Sequence, residues 1–232
     1  MLSFISCSKG PGFVRSYGED ITISRQLGAF NKLEIGQKFQ LYISMDTTLP
    51  EQISIRYGSH LTDKIRTKIH DGILTIRDEN KYNWVRDLHV FPTCTLNVHR
   101  LDEIVAEGVA ELHSLDTIRT HNLVFHAWGN GTHELTVKCG SVSGECDNAG
   151  TVIFRGYGGI LAWTCENGSA VNASEMRSSD VYLYHYTDRV AEVNPTSIFK
   201  AYVYGKGNVL YYQDPLFMIE KHEFGEGRIL RQ

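Results

Sequence analysis

The sequence predicts an all-β protein built as a β-helix (β-solenoid) with coils of about 20 residues, preceded by an N-terminal region of β-strands. The first observation is a turn, usually centred on Gly, that recurs at positions 108, 131, 150, 168, 187 and 207. A fixed period of this length is typical of solenoids, in which each repeat is one coil stacked on the last. The second observation is that Gly is common (21) and Pro rare (5), with many short segments and few long helical runs.

Composition and charge exclude several classes of protein. The 232 residues are 42% hydrophobic and 22% charged, so the chain can bury a core and is not disordered. The net charge is −4 and no long basic run occurs, which argues against a nucleic-acid partner because phosphates require a basic face. No apolar stretch reaches the roughly 18 residues of a membrane span. Membrane attachment is therefore expected only through a lipid anchor.

Residues 1–20 are predicted to be a signal remnant and a tether. Residues 4–7 read Phe-Ile-Ser-Cys, an order similar to the end of a bacterial lipoprotein signal, so Cys7 is the predicted lipidation site. The small residues that follow resemble a flexible tether. Only six residues precede Cys7, and the alternatives are a truncated start or an ordinary Cys near a frayed end.

Residues 21–215 are predicted to form one domain. Its first part, residues 21–100, alternates apolar and polar positions at 33–35, 39–43 and 53–57, as half-buried strands do, but lacks the 20-residue repeat. Asp71-Gly72 predicts a hairpin turn. The repeats occupy residues 101–215, and residues 216–232 form a C-terminal tail.

Alignment of the coils on the turn residue separates inward from outward columns. Positions four and six before the turn are mostly small or apolar and are placed inside, so alternation sends the intervening positions outward. The inward columns are Ala127, Cys146, Thr164, Leu183 and Val203, and Phe125, Gly144, Ala162, Val181 and Ala201. The outward columns are His126, Glu145, Trp163, Tyr182 and Tyr202, and Trp128, Asp147, Cys165, Tyr184 and Tyr204.

The outward aromatic residues form the candidate ligand-binding face. Its members are Trp163, Tyr182, Tyr184, Tyr202 and Tyr204, with Tyr182 expected over Tyr202 and Tyr184 over Tyr204. An exposed aromatic patch of this size indicates a partner or a ligand. The alternatives are that stacking of identical neighbours makes the ladder structural, or that the N-terminal strands or the C-terminal tail cover it.

The sequence contains five cysteines, an odd number, so they cannot all pair in disulfides within one chain. If Cys7 is lipidated, Cys94, Cys139, Cys146 and Cys165 remain, and two pairs would allow three connectivities. Cys146 and Cys165 are 19 residues apart, so they are expected on adjacent coils, at a spacing that a disulfide can span. The alternative is that all four are small buried hydrophobic residues.

Several segments resemble the bacterial "putative auto-transporter adhesin, head GIN domain" family, over roughly residues 22 to 215. The resemblance rests on Arg25 and residues 30–35, 72–76, 101–104, Gly108, 204–212 and Pro215. It implies a right-handed β-helix and an exported lipoprotein at the cell surface or in the periplasm. It carries no catalytic residues. The chain departs from the family pattern at Tyr186-Thr187-Asp188, where the turn lacks Gly.

The predicted function is that of a non-catalytic cell-envelope protein, an outer-membrane lipoprotein with a binding or adhesion-type role. Its partner would be a glycan or another surface protein; the oligomeric state stays open, and no cofactor is predicted. His121, His126 and His133 match no metal-ligand spacing, so no metal site is predicted. Glu145 and Asp147 share an outward face roughly 7 Å apart. This pair leaves a β-helical lyase or hydrolase as an alternative, beside a purely structural scaffold.

Overall fold

A computed structural model describes residues 17–80 and 91–232 and confirms the all-β class. All regular structure in these ranges is β-strand apart from one short 3₁₀ turn, Thr62–Lys64. The strands are β1 (Asp20–Gln26), β2 (Lys32–Ile35), β3 (Gln40–Ser44), β4 (Gln52–Gly58), β5 (Ile65–His70), β6 (Ile73–Asp78), β7 (Thr93–Asn97), β8 (Glu103–Gly108), β9 (Glu111–Ser114), β10 (Ile118–Gly129), β11 (Thr132–Asp147), β12 (Thr151–Cys165), β13 (Ala170–His185), β14 (Ala191–Val203), β15 (Val209–Tyr211), β16 (Met218–Glu223) and β17 (Ile229–Arg231). Within the described ranges, no helix has the length and apolar character needed to cross a membrane.

Five long strands, β10 to β14, form the centre of the solenoid. Each pairs in parallel with the next, and the pairing continues from β14 to β16. One position traces the stack through successive partners: Ala127, Cys146, Cys165, His185, Val203 and Glu223. These residues are 19, 19, 20, 18 and 20 apart in sequence. The predicted coil length is therefore confirmed, and the fold is a β-solenoid of about six turns.

Close backbone contact between coils explains why Gly recurs at the turns. A Cβ atom at Gly131 would overlap the carbonyl oxygen of Ala110 in the preceding coil. A Cβ atom at Gly207 would likewise overlap the carbonyl oxygen of Arg189. Because only Gly lacks that atom, close stacking of the coils requires Gly at these turns, and the sequence therefore shows it at regular intervals.

The N-terminal strands belong to the same stack. β2 lies between β6 and β8, and β3 lies between β7 and β9, all in parallel. On the other side, β8 pairs in parallel with β10, and β9 pairs in parallel with β11. Asp71 and Gly72 have positive φ angles of 50° and 74° and join β5 to β6 as an antiparallel hairpin, which confirms the predicted turn. β1 and β4 pair antiparallel at this end.

The inside of the coils is the hydrophobic core. Its largest fully buried side chain is Trp163, whose ring centroid lies 5.1 Å from Phe154 and 6.2 Å from Phe125. Most predicted inward positions are buried, namely Phe125, Ala127, Cys146, Val181, Leu183, Ala201 and Val203. The inward columns are therefore correct in four of the five aligned coils, apart from the half-buried Gly144.

The columns are wrong in the coil of β12. Trp163 is 1% exposed and Cys165 is fully buried, whereas Ala162 and Thr164 are half-buried on the outward side. The cause is the turn length. Cys165 stands three residues before its turn glycine, while Cys146, its partner in the previous coil, stands four before its own. Because strand side chains alternate, a shift of one residue exchanges inside and outside.

The segment predicted as a C-terminal tail forms one more coil. β16 pairs in parallel with β14, and β17 pairs in parallel with β15. The segment therefore extends the stack and does not lie across its outer face.

Candidate binding surface

Six aromatic rings form two parallel rows on the outside of the last three coils. One row is Tyr184, Tyr202 and His222, and the other is Tyr186, Tyr204 and Phe224. We call these six residues the aromatic strip. The first row lies on β13, β14 and β16, and the second follows directly after the ends of the same strands. Alternation turns these side chains outward, because the intervening Leu183, His185 and Val203 point into the core.

The rings of the aromatic strip stack face to face along the solenoid. In the first row the ring centroids are 5.0 and 4.8 Å apart, with interplanar angles of 8° and 6°. In the second row they are 4.7 and 4.9 Å apart, at 6° and 17°. These distances match the spacing of hydrogen-bonded strands, so the parallel register itself sets the stacking.

This geometry decides what the strip presents to solvent. Neighbouring rings cover each other's faces, so the outer surface consists mainly of ring edges and tyrosine hydroxyl groups. The exposed fractions are 42% for Tyr184, 46% for Tyr186, 43% for Tyr204 and 63% for Phe224. Burial between rings, chiefly, raises the pKa of the Tyr186 phenol, with Tyr204 adding a smaller effect. That hydroxyl is therefore a neutral hydrogen-bonding group at physiological pH.

The predicted face and the observed strip overlap only in part. Tyr184, Tyr202 and Tyr204 belong to the strip. Tyr182 is half-buried in the neighbouring outward column, opposite Lys200. The prediction that Trp163 lies on this face is wrong, because it is a core residue. The predicted stacking of Tyr182 on Tyr202 and of Tyr184 on Tyr204 is also wrong, since Tyr184 stacks on Tyr202.

Sequence reasoning missed three members of the strip, namely Tyr186, His222 and Phe224. A signal for them exists in the alternation of aromatic residues, Tyr-x-Tyr-x-Tyr at 182–186, Tyr-x-Tyr at 202–204 and His-x-Phe at 222–224. The steps between these groups are 18 and 20 residues. The first step differs from the 20 residues that separate the turns at 187 and 207, so alignment on the turns placed Tyr182 over Tyr202.

The carboxylates considered for catalysis are engaged in surface hydrogen bonds. Glu145 accepts a hydrogen bond from Trp128 Nε1 at 2.8 Å and contacts His126 Nδ1 at 3.3 Å. Asp147 accepts one from Asn167 Nδ2 at 2.7 Å. Both carboxylates thus connect neighbouring coils along the outer face. In the described ranges, no group of three or more His, Cys, Asp and Glu residues is arranged to hold a metal ion.

The two cysteines expected on adjacent coils are direct strand partners. Cys146 pairs with Cys165 across β11 and β12, and their sulfur atoms are 3.6 Å apart as free thiols. The expected placement is therefore confirmed. The hydrogen bond donated by one thiol to the other is the largest cause of a lowered pKa for Cys146 and of a raised pKa for Cys165.

The sequence matches one known family over most of its length. A sequence profile described as "putative auto-transporter adhesin, head GIN domain" matches residues 29–215. The chain belongs to this family. The match ends before the last coil of this head GIN domain, so His222 and Phe224 of the aromatic strip lie beyond the matched region.

Solved structures share the fold of this head GIN domain. A "putative adhesin" from Bacteroides fragilis superposes with a TM-score of 0.85 at 20% identity, covering 92% of this chain and 97% of that one. A "putative adhesin" from Parabacteroides distasonis gives 0.73 at 15% identity, covering 93% and 98%. A "putative lipid binding protein" from the same species gives 0.65 at 13% identity, covering 92% and 97%. At these identities the likeness shows the fold. No curated protein matches the chain.

Proposed function

We propose that this head GIN domain is a non-catalytic, exported cell-envelope protein that binds another surface protein through the aromatic strip. The observation that carries the proposal is the pair of exposed, ordered rows of rings on one face of the last three coils. Tyrosine edges and hydroxyl groups combine apolar contact area with hydrogen bonding, and Tyr is enriched at the centres of protein interfaces. The adhesin description of the family supports the same class of role.

The stacking geometry favours a protein over a glycan as the partner. A sugar ring packs best on an open aromatic face, but wherever two rings of the aromatic strip stack, their facing surfaces cover each other. A flat row of edges and hydroxyl groups suits an extended protein surface instead. The carboxylate pair gives no support to the enzyme alternative, because Glu145 and Asp147 are both tied into hydrogen bonds between coils.

Binding can be tested with three sets of immobilised probes: extracellular matrix proteins, glycans and phospholipid vesicles. The test variant is Tyr186→Ala/Tyr204→Ala, which removes one stacked pair from the strip. The matched control is Tyr157→Ala, because Tyr157 is 49% exposed and lies on β12 outside the strip. We expect wild type and Tyr157→Ala to bind the same matrix protein and the double variant to lose that signal.

Three outcomes would contradict the proposal. Equal binding by the double variant would remove the strip from the interface. Binding to glycans alone would make the partner a carbohydrate, and binding to vesicles alone would make it a lipid. Thermal melts by circular dichroism must show the double variant folded, since it loses two stacking contacts, Tyr186 on Tyr204 and Tyr204 on Phe224, each contributing about 0.5–1.5 kcal/mol.

We further propose that Cys7 carries the lipid that anchors the protein in the outer membrane. Cys7 lies outside the described residues, and the support is its sequence context together with the exported character of the family. Wild type expressed with a complete export signal should partition into detergent, and Cys7→Ser should stay in the aqueous phase, because the acyl chains supply about 0.8 kcal/mol per buried CH₂. Aqueous behaviour of both proteins would contradict the anchor.

A further inference from the structure

The last coil presents open strand edges. β16 pairs with β14 and β17 pairs with β15, and within the described ranges neither has a strand on its other edge. Exposed apolar side chains gather around these edges, namely Leu216, Phe217, Met218, Ile219, Phe224 and Leu230. Leu216 and Phe217 are 79% and 81% exposed. Unpaired edges with apolar surroundings are templates for pairing with another chain.

Two of the three inward positions of β16 carry opposite charges, and the third is Ile219, the partner of Phe199. Lys221 is the partner of Ala201, and Glu223 is the partner of Val203, so both continue columns that are apolar in the coil below. Lys221 Nζ donates a hydrogen bond to the Tyr211 hydroxyl at 2.8 Å. Glu223 accepts one from the Ile229 amide at 2.7 Å. Another apolar coil stacked here would bury both charges, so these residues disfavour continuation of the ordinary repeat.

We propose that the last coil is a homodimer interface, in which two copies meet end to end about a twofold axis. Antiparallel pairing of two β16 strands, centred on His222, places Lys221 of each copy opposite Glu223 of the other. Opposite charges directly across an antiparallel pair are stabilising. The same axis, passing through both sheets, brings the two β17 strands together as well, which gives the isologous contact of a cyclic dimer.

Charge complementarity is the reason for choosing a second copy as the occupant. A partner strand must place a negative side chain opposite Lys221 and a positive side chain opposite Glu223. A second β16, running antiparallel, meets this requirement with its own Glu223 and Lys221. An unrelated apolar strand would bury both charges with only their partners within the chain, which are Tyr211 for Lys221, and Arg228 and the Ile229 amide for Glu223. The dimer would also join the two aromatic strips end to end, with His222 of each copy at the junction. The strands β1 and β5 of the two copies would then lie at the far ends.

Sedimentation velocity on the full chain, at tens of micromolar and below, tests the proposal with two charge reversals. Lys221→Glu gives two facing pairs of negative charges, and Glu223→Lys gives two facing pairs of positive charges. We expect the wild type to dimerise and each variant alone to bind about a hundredfold more weakly, because like charges across an interface cost several kcal/mol. A mixture of the two variants restores opposite pairing and should recover the dimer. Lys68→Glu, on exposed β5 at the other end, is the matched control and should leave the dimer unchanged.

A monomeric wild type, a dimer unaffected by either reversal, or a mixture that stays monomeric would overturn the proposal. Because both reversals remove a hydrogen bond within the chain, circular dichroism must confirm that each variant is folded. Hydrogen exchange of the unmodified protein gives a readout that needs no variant. Amides of residues 220–224 should become protected as the protein concentration rises, and unchanged exchange would count against the interface.

Discussion

Replacement of Trp163 by Ala tests the assignment of this residue to the core. The side chain is 1% exposed, contacts two aromatic rings and donates a hydrogen bond from Nε1 to the Cys146 sulfur at 3.4 Å. A buried Trp removes up to about 250 Å² from water, which at about 25 cal/mol per Å² sets an upper bound near 6 kcal/mol. Partial collapse of the cavity reduces this, and we expect a loss of about 3–5 kcal/mol in the free energy of unfolding.

Guanidinium denaturation followed by far-ultraviolet circular dichroism measures this loss, with Trp128→Ala as the matched control. Trp128 is 41% exposed and makes one hydrogen bond, to Glu145, so its removal should cost no more than about 1–2 kcal/mol. Trp163→Phe keeps most of the ring volume and should fall between wild type and Trp163→Ala. An equal loss for the two tryptophans would refute the placement of Trp163 inside the coil.

Three further predictions concern burial elsewhere in the solenoid. Val181→Asp puts an unpaired charge in a fully buried position, and thermal melts should show a loss of about 3–5 kcal/mol in the free energy of unfolding. Asp180→Ala, on the outside, should change that free energy by no more than about 0.5 kcal/mol. Equal effects of the two substitutions would contradict the inward position of Val181. Burial, chiefly, lowers the pKa of His133 to about 4, so the unfolded chain binds the extra proton as pH falls below about 6.5. Stability should therefore drop by up to about 3 kcal/mol between pH 7 and pH 4, and a His133→Leu variant that loses as much as wild type would sink this reasoning. Burial raises the pKa of Cys94 to about 12, so iodoacetamide at pH 8 should modify it in denaturant but not in the folded protein, as read by mass spectrometry of the peptide.

The repeat was predictable because its physical cause recurs at the same point of successive coils. Backbone contact between coils excludes a Cβ atom at turn positions such as Gly131 and Gly207, and the sequence records this as a periodic Gly. Alternation then separates inside from outside wherever strand positions keep the same distance from the turn or differ by two residues. The apolar columns at Val181 and Val203 could therefore be assigned correctly without coordinates.

The register could not be predicted because it depends on single-residue differences between coils. The pairing of β12 with β13 shifts between Ile153 and Arg155, and the pairing of β13 with β14 shifts near Ala173 and Ser178. Each shift changes the number of residues that separates paired positions in neighbouring coils, and the amino-acid composition does not reveal it. A difference of one residue reversed the orientation of Trp163. A difference of two kept Tyr184 outside but changed its stacking partner to Tyr202.

The last coil escaped prediction because its pattern differs from that of the others. Two of the three inward positions of β16 hold Lys221 and Glu223, so the apolar column pattern of the preceding coils is interrupted there. In sequence, a segment in which the apolar columns are interrupted in this way resembles a tail more than another coil. The candidate binding surface was incomplete for the same reason, since His222 and Phe224 belong to this coil.

The dependence of each coil on its nearest neighbours makes the length of the molecule an adjustable quantity. β12 and β13 follow nearly the same path, and within the described residues each is paired only with the strands directly before and after it. Duplication or loss of one such coil would move the two ends apart or together by about 4.8 Å while leaving both ends chemically intact. Evolution can therefore change the reach of this protein in fixed steps, independently of what either end contacts.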